Sequence, residues 1–267
     1  MGRLDWAEVI EQARVVVASY AERVTLRQCF YRLVAAGAVP NTVAAYKRLS
    51  ALTAAARRAD TFPDLADHGR EIARPLAFVD ADDALGWLRR AYRRDRTAGQ
   101  STAIYLGVEK DALVSQLAAW YADLGLPVIA LRGYGSQTIA DLVRRDAQQG
   151  GRPAVLLYAG DYDPSGEDIE RDFLARTRCW THAERVALTP AQVTEFGLPP
   201  LPGKATDSRA AAFAAAHGHL IQVEVDALDP TDLHALFDDA IARWWNPQAY
   251  DEVLAAEARD RHRLDSS

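Results

Sequence analysis

Apolar positions in the first hundred residues recur at helical spacing. Val9, Ala13, Val16 and Val17 follow Asp5, which predicts a helix opening at that aspartate. Leu26, Cys29, Phe30, Leu33 and Val34 keep the i, i+3, i+4, i+7, i+8 series behind a capping Thr25. They predict a helix from about Leu26 to Ala36 that stops at Gly37. A third helix is expected from a cap at Asn41 to about Ala59, and a last one from about Ala81 to Arg94. The stretch between them, with Phe62-Pro63, Gly69 and Pro75, lacks helical pattern and suits a β-wing. Helix, turn, helix and wing is a common DNA-binding arrangement.

After a polar link at Thr97–Thr102 the period changes. Ala103–Val108, Pro127–Leu131 and Ala154–Ala159 are apolar runs of strand length. Helices are expected after each, at about Ala112–Leu124, Gln137–Gln148 and from Glu167 onward. Strands alternating with helices mean right-handed βαβ units and a parallel sheet. A fourth strand is expected at Arg185–Leu188, a loop at Leu198–Gly203, a helix in the Ala-rich piece 210–216 and a late strand at Leu220–Val225. The fold class is therefore α/β, with a mostly helical winged-helix domain over 1–98 and a Rossmann-like domain over 99–267.

Charge sharpens the division. The net charge of −6 hides 16 Lys and Arg against 12 Asp and Glu in residues 1–100, and 15 against 25 in the rest. Arg23, Arg27, Arg32, Lys47, Arg48, Arg57 and Arg58 span a segment without an acid, and Arg89 to Arg96 form a second basic cluster. Such clusters neutralise phosphates, or are simply solvated helix faces. No apolar run is long enough to span a membrane. Cys29 and Cys179 have no CxxC partner or His cluster, so neither a disulfide framework nor a zinc site is expected, and a reducing cytoplasm fits.

Candidate chemistry sits at strand ends, where an open parallel sheet binds ligands. Glu109 follows AIYLGV, and Asp161 and Asp163 follow AVLLYAG. Two carboxylates two residues apart repel unless a positive charge lies between them. Mg²⁺ meets that need, because it takes a few carboxylates plus waters and phosphate oxygens. The plainer reading is that the two aspartates cap a turn. Gly160 and Gly166 bracket the loop and are expected to let it turn sharply.

GVEKDAL at 107–113 and YAGDYDPSG at 158–166 resemble the two signature motifs of Toprim domains. Their order and separation resemble most the A subunit of type IIB topoisomerases and its meiotic double-strand-break relatives. TLRQCFYRLV at 25–34 resembles the catalytic-tyrosine motif of that family, and LTPAQVTEFGLPP at 188–200 resembles the segment after its acids. The likeness covers about residues 20–230. It implies a winged-helix domain before a Toprim domain, Mg²⁺ at Glu109, Asp161 and Asp163, and Tyr31 as a nucleophile toward double-stranded DNA. It also implies a homodimer in which one protomer's tyrosine meets the other's metal site. No Walker-type phosphate loop is present, so strand passage would need a separate ATPase partner.

Helical geometry places Tyr31 off the buried stripe, beside Arg27 one turn earlier. An exposed tyrosine there suits attack on a phosphodiester, with guanidinium favouring phenolate; a boundary tyrosine packing its ring is the alternative. Lys110 is the cation beside Glu109. Arg32, Lys47, Arg48, Arg57, Arg58 and Arg132 are candidate DNA contacts, the last in the glycine-rich turn RGYGSQT. Glu224 and Asp226, on one face of the late strand, are further candidates to help the metal site. The activity expected is Mg²⁺-dependent DNA cleavage by tyrosine transesterification. The alternatives are a Toprim nuclease using water and a non-cleaving DNA-binding component of a larger complex.

Overall fold

The computed structural model describes residues 4–20, 23–66, 75–131, 133 and 135–265. Helix α1 (Trp6–Ala18) begins at Asp5, whose carboxylate accepts from the Ala7 and Glu8 amides. Helix α2 (Leu26–Ala35) begins in a capping box, with Thr25 and Gln28 satisfying each other's backbone amides. Helix α3 (Val43–Arg58) is capped by Thr42 instead of the expected Asn41. The Asn41 amide is drawn away to the Pro199 carbonyl, so the helix opens one residue later. Helix α4 (Ala81–Ala91) is capped by Asp80 and stops short of Arg94. Among the described residues between α3 and α4 there is no strand; Gly69 of the expected wing lies outside them.

The second half holds the expected alternation: β1 (Ala103–Val108), α5 (Asp111–Trp120), β2 (Val128–Ala130), α6 (Gln137–Gln149), β3 (Ala154–Ala159), α7 (Pro164–Thr177) and β4 (Trp180–Ala187). The four strands form one parallel sheet in the order β2-β1-β3-β4. β4 is longer than its sequence signal, because only its end is apolar. Beyond it run α8 (Pro190–Glu195), β5 (Leu201–Pro202), α9 (Ala210–His217), β6 (Ile221–Gln222), a 3₁₀ turn at Val225–Ala227, α10 (Pro230–Ala242) and α11 (Pro247–Asp265). β5 and β6 pair antiparallel. The loop expected at Leu198–Gly203 thus supplies a short strand, and the late strand is shorter than its alternation suggested.

Every residue of β1 and β3 is buried, since helices cover both sheet faces. Ile104, Leu106, Val108, Val155 and Leu157 face one cluster, shared with Leu113 and Leu117 of α5 and with Val9, Cys29 and Leu49 of the N-terminal helices. Tyr105, Leu156 and Tyr158 face the other, against Val143 of α6 and Phe173 of α7. Burying one such leucine contributes about 1.5–3 kcal/mol. The strand order has a consequence for function. The chain leaves β1 toward β2 on one side and leaves β3 toward β4 on the other, so the carboxyl ends of β1 and β3 flank the crevice where strand order reverses.

Candidate functional site

Glu109 and Asp161 stand at that crevice. The Glu109 amide donates to the Ala159 carbonyl at 3.1 Å, extending the β1–β3 pairing by one step. The carboxylate of Glu109 turns back across the gap, and its Oε2 accepts from the Asp161 amide at 3.0 Å. Asp161 is buried, and its Oδ1 accepts from the Val225 amide at 2.8 Å. The 3₁₀ turn after β6 therefore closes the site from the opposite side.

Lys110 fills the centre. Its Nζ lies 3.0 Å from Asp161 Oδ1, 3.1 Å from Glu224 Oε2 and 3.3 Å from Asp226 Oδ2. Glu224 also receives Arg27 at 2.9 Å. Glu224 and Asp226 thus join the site, though from the start of a 3₁₀ turn and not from alternate positions of a strand.

Burial dominates the electrostatics. It pushes the Asp161 carboxyl up to about 7, against the opposing pull of Lys110. It also raises the Glu109 carboxyl, partly offset by the hydrogen bond from the Asp161 amide. Burial works against the Lys110 charge too, but Asp161, Asp226 and Glu224 outweigh it and hold the ammonium above its usual range.

Asp163 is placed differently. Its Oδ1 accepts from the Gly166 amide at 2.7 Å and caps α7, with Pro164 in the first turn. The capping alternative therefore holds for Asp163, while Asp161 caps nothing and faces the crevice.

The two bracketing glycines serve space, not turning. Neither adopts a left-handed backbone. A Cβ on Gly160 would stand 2.3 Å from the Tyr158 hydroxyl, and one on Gly166 would stand 2.2 Å from the Asp161 carbonyl oxygen. Only a residue without a side chain lets α7 start this close to Asp161.

Arg185 on β4 belongs to none of the sequence motifs, yet it reaches the site. It pairs with Glu170 of α7 and donates to the Asp161 carbonyl at 2.6 Å. Its guanidinium lies 5.5 Å from the centre of the Tyr158 ring. A lone cation near the end of a strand beside the acid-bearing one was the available signal.

Tyr31 requires a correction. It is 5% exposed and not on a free face, because α2 packs against the 225–227 turn as well as against α1 and α3. Burial, followed by Glu224, pushes its phenol up, and Arg27 and Lys110 only partly oppose this. Phenolate is disfavoured here. Arg27 is likewise committed, to Glu224. Tyr31 still lines a cavity of about 370 Å³ together with Arg27, Phe30, Tyr46, Leu201 and Glu224.

The candidate DNA contacts divide. Lys47, Arg48, Arg57 and Arg58 are exposed on α3, and among the described residues none has an acidic partner. Arg32 instead lies 3.5 Å from Asp229. In the second basic cluster, Arg94 pairs with Asp260 at 2.5 Å and Arg96 with the buried Glu257 at 2.9 Å, so these two fasten α11. Arg132 lies outside the described residues.

Among the described residues, no three Asp, Glu, His or Cys side chains gather closely enough to hold a metal ion by themselves. Also among them, no helix is long and apolar enough to cross a membrane. The chain matches no protein-family model, and no curated protein resembles it closely enough to count as a match.

Proposed function

We propose that this chain cleaves phosphodiester bonds in double-stranded DNA at a Mg²⁺-dependent centre built on Glu109 and Asp161, in a Toprim-like domain behind a winged-helix-like one. One observation carries this reading: Glu109 and Asp161 stand just past the carboxyl ends of adjacent parallel strands, with the Glu109 carboxylate 3.0 Å from the Asp161 amide. Around them Glu224 and Asp226 add negative charge that Lys110 and Arg27 only partly offset.

The donor chemistry suits Mg²⁺, which is commonly held by one or two carboxylates and completes its shell with waters and phosphate oxygens. Glu109 and Asp161 would hold it, with Asp163 adding charge at the rim. When bound, the ion supplies positive charge to the phosphate and to the leaving sugar oxygen. The exposed cations of α3 would bind the DNA backbone, setting the duplex against the crevice. Lys110 bridges Asp161, Glu224 and Asp226 and offsets the repulsion among them. Arg185 fixes the Asp161 loop through its carbonyl. Water adds across one P–O ester bond, leaving a phosphate monoester end and a sugar hydroxyl.

A second reading makes Tyr31 the nucleophile. Its oxygen would bond to phosphorus, releasing a sugar hydroxyl and leaving a phosphotyrosyl link. The cavity that Tyr31 shares with Arg27 and Glu224 favours it. Burial of the phenol ranks it second. Cleavage of plasmid DNA by the purified chain, with Mg²⁺ and with a chelator, tests the shared claim. Cutting with Mg²⁺ that Asp161→Ala abolishes supports it, and absence of any Mg²⁺-dependent cutting overturns it.

A further inference from the structure

A cavity beside the crevice is walled by rings. Phe30 and Tyr31 of α2 and Tyr46 of α3 line its volume of about 370 Å³, together with Arg27 and Glu224. The rings brace one another: Phe30 lies 5.5 Å from Tyr31 and 5.3 Å from Tyr46, centre to centre and edge to face. The Arg27 guanidinium stands 5.9 Å from the centre of the Tyr46 ring. Aromatic rings and guanidinium planes are the surfaces on which an unstacked nucleobase lies. The volume is at the small end of the range of about 300–1,000 Å³ for small-molecule sites, which suits one heterocycle and not a paired duplex.

Polar atoms are placed for the edge of such a base. Tyr31 is 5% exposed, and among the described residues its hydroxyl has no hydrogen-bond partner. Asn41, at the same cavity, donates its amide to the Pro199 carbonyl, which leaves its side-chain oxygen as an acceptor. The neighbours say which molecule would carry the base. Lys47 and Arg48 follow Tyr46 directly on α3, are exposed, and have no acidic partner among the described residues. On the opposite wall Glu224 receives Arg27 at 2.9 Å and Lys110 at 3.1 Å, and Lys110 in turn reaches Asp161. The cavity thus lies between free cations and the carboxylate centre. A strand whose phosphates run from one to the other passes over it.

We propose that this cavity receives one unpaired base of a DNA strand, stacked against Tyr46, so that the chain selects duplexes carrying an unpaired base over fully paired ones. The proposal rests on the reading that the chain binds DNA at this crevice, and it adds the feature of the substrate that is recognised. An unpaired base swings out of the helix at little cost, whereas a paired one must first lose its partner and its stacking. A free nucleotide offers the same base, but without the run of phosphates that Lys47 and Arg48 would hold.

Fluorescence anisotropy of the full chain in chelator tests the proposal on three labelled duplexes of one sequence. One is fully paired, one carries a single unpaired adenine, and one carries an abasic site at that position. The wild type is expected to bind the unpaired adenine about 10-fold more tightly than either of the others. Tyr46→Phe should keep that ratio and Tyr46→Leu should bring it close to one, with circular dichroism checking that both fold. The comparison of adenine with the abasic site needs no variant, so it decides the matter if Tyr46→Leu misfolds. Deoxyadenosine monophosphate should displace the unpaired-adenine duplex only at about millimolar concentration. Equal affinities for the three duplexes overturn the proposal, as does a preference that folded Tyr46→Leu retains. Displacement by the mononucleotide at micromolar concentration, with no preference among the duplexes, makes the cavity a nucleotide site and overturns it too. Binding is read without Mg²⁺ or cleavage, so loss of the preference leaves the cleavage reading standing, and a plasmid left uncut does not remove the preference.

Discussion

Lys110 Nζ stands 3.0 Å from Asp161 Oδ1 and at once within 3.3 Å of Glu224 and Asp226. One ammonium is thus shared by three carboxylates, two of them buried. It takes up one oxygen of Asp161 and leaves Glu109 outside its contacts. The site is a charge network first, and its behaviour follows from that.

Removing the ammonium leaves buried carboxylates without their partner. Lys110→Met is expected to cost about 3–5 kcal/mol of unfolding free energy in chelator. Added Mg²⁺ should restore more stability to this variant than to the wild type. Urea denaturation measures both, and an unchanged midpoint would count against the network.

The raised carboxyl of Asp161 sets a pH dependence in metal-free protein. Its folded value, about 7, lies above the value of about 3.9 for free aspartate. The folded state therefore binds the extra proton between about pH 4 and 7, and stability falls as pH rises through that window. The loss should be a few kcal/mol, on the order of 2–4. Thermal melts of Asp161→Asn in chelator should be flatter over the same range, whereas an equal slope in both proteins would contradict this.

Gly166→Ala should destabilise the fold by about 1–3 kcal/mol, because its Cβ would meet the Asp161 carbonyl at 2.2 Å. The measurement is again urea denaturation. Wild-type stability would mean that α7 shifts freely at its start.

Much of this was legible in the sequence, and the misses share a cause. Apolar runs of strand length located most of the sheet, and the 3.6 period located most helices, because burial decides those elements. Strand ends gave Glu109 and Asp161, since a carboxylate closing an apolar run has few other uses. Tyr31 was misplaced because its burial comes from the 225–227 turn, nearly two hundred residues away. Periodicity within one helix cannot register such a contact. Arg32 and Arg94 failed for the same reason: their acidic partners, Asp229 and Asp260, lie far along the chain. Gly160 and Gly166 were recognised as necessary, but their necessity is steric and appears only once Tyr158 and Asp161 are in place.

The exposed cations of α3 bear on binding alone. Lys47→Gln with Arg58→Gln should weaken duplex binding uniformly across sequences and lower the salt slope of log K by about two. Fluorescence anisotropy at several salt concentrations measures it. An unchanged slope would place the duplex elsewhere.

Tyr31→Phe separates the two nucleophiles. With water as the nucleophile, the variant keeps cleavage within about twofold of wild type, and denaturant traps no protein–DNA adduct from either protein. A covalent adduct formed by the wild type and lost in the variant would reverse the order of the two readings.

The most direct test of the central claim compares wild type with Glu109→Gln and Asp161→Asn on supercoiled plasmid, across a Mg²⁺ titration. A carboxylate centre for phosphodiester cleavage predicts nicked or linear product from the wild type, rising with Mg²⁺ and lost in both variants. Cutting that persists in both variants, or a wild type that leaves the plasmid intact at every Mg²⁺ concentration, would contradict it.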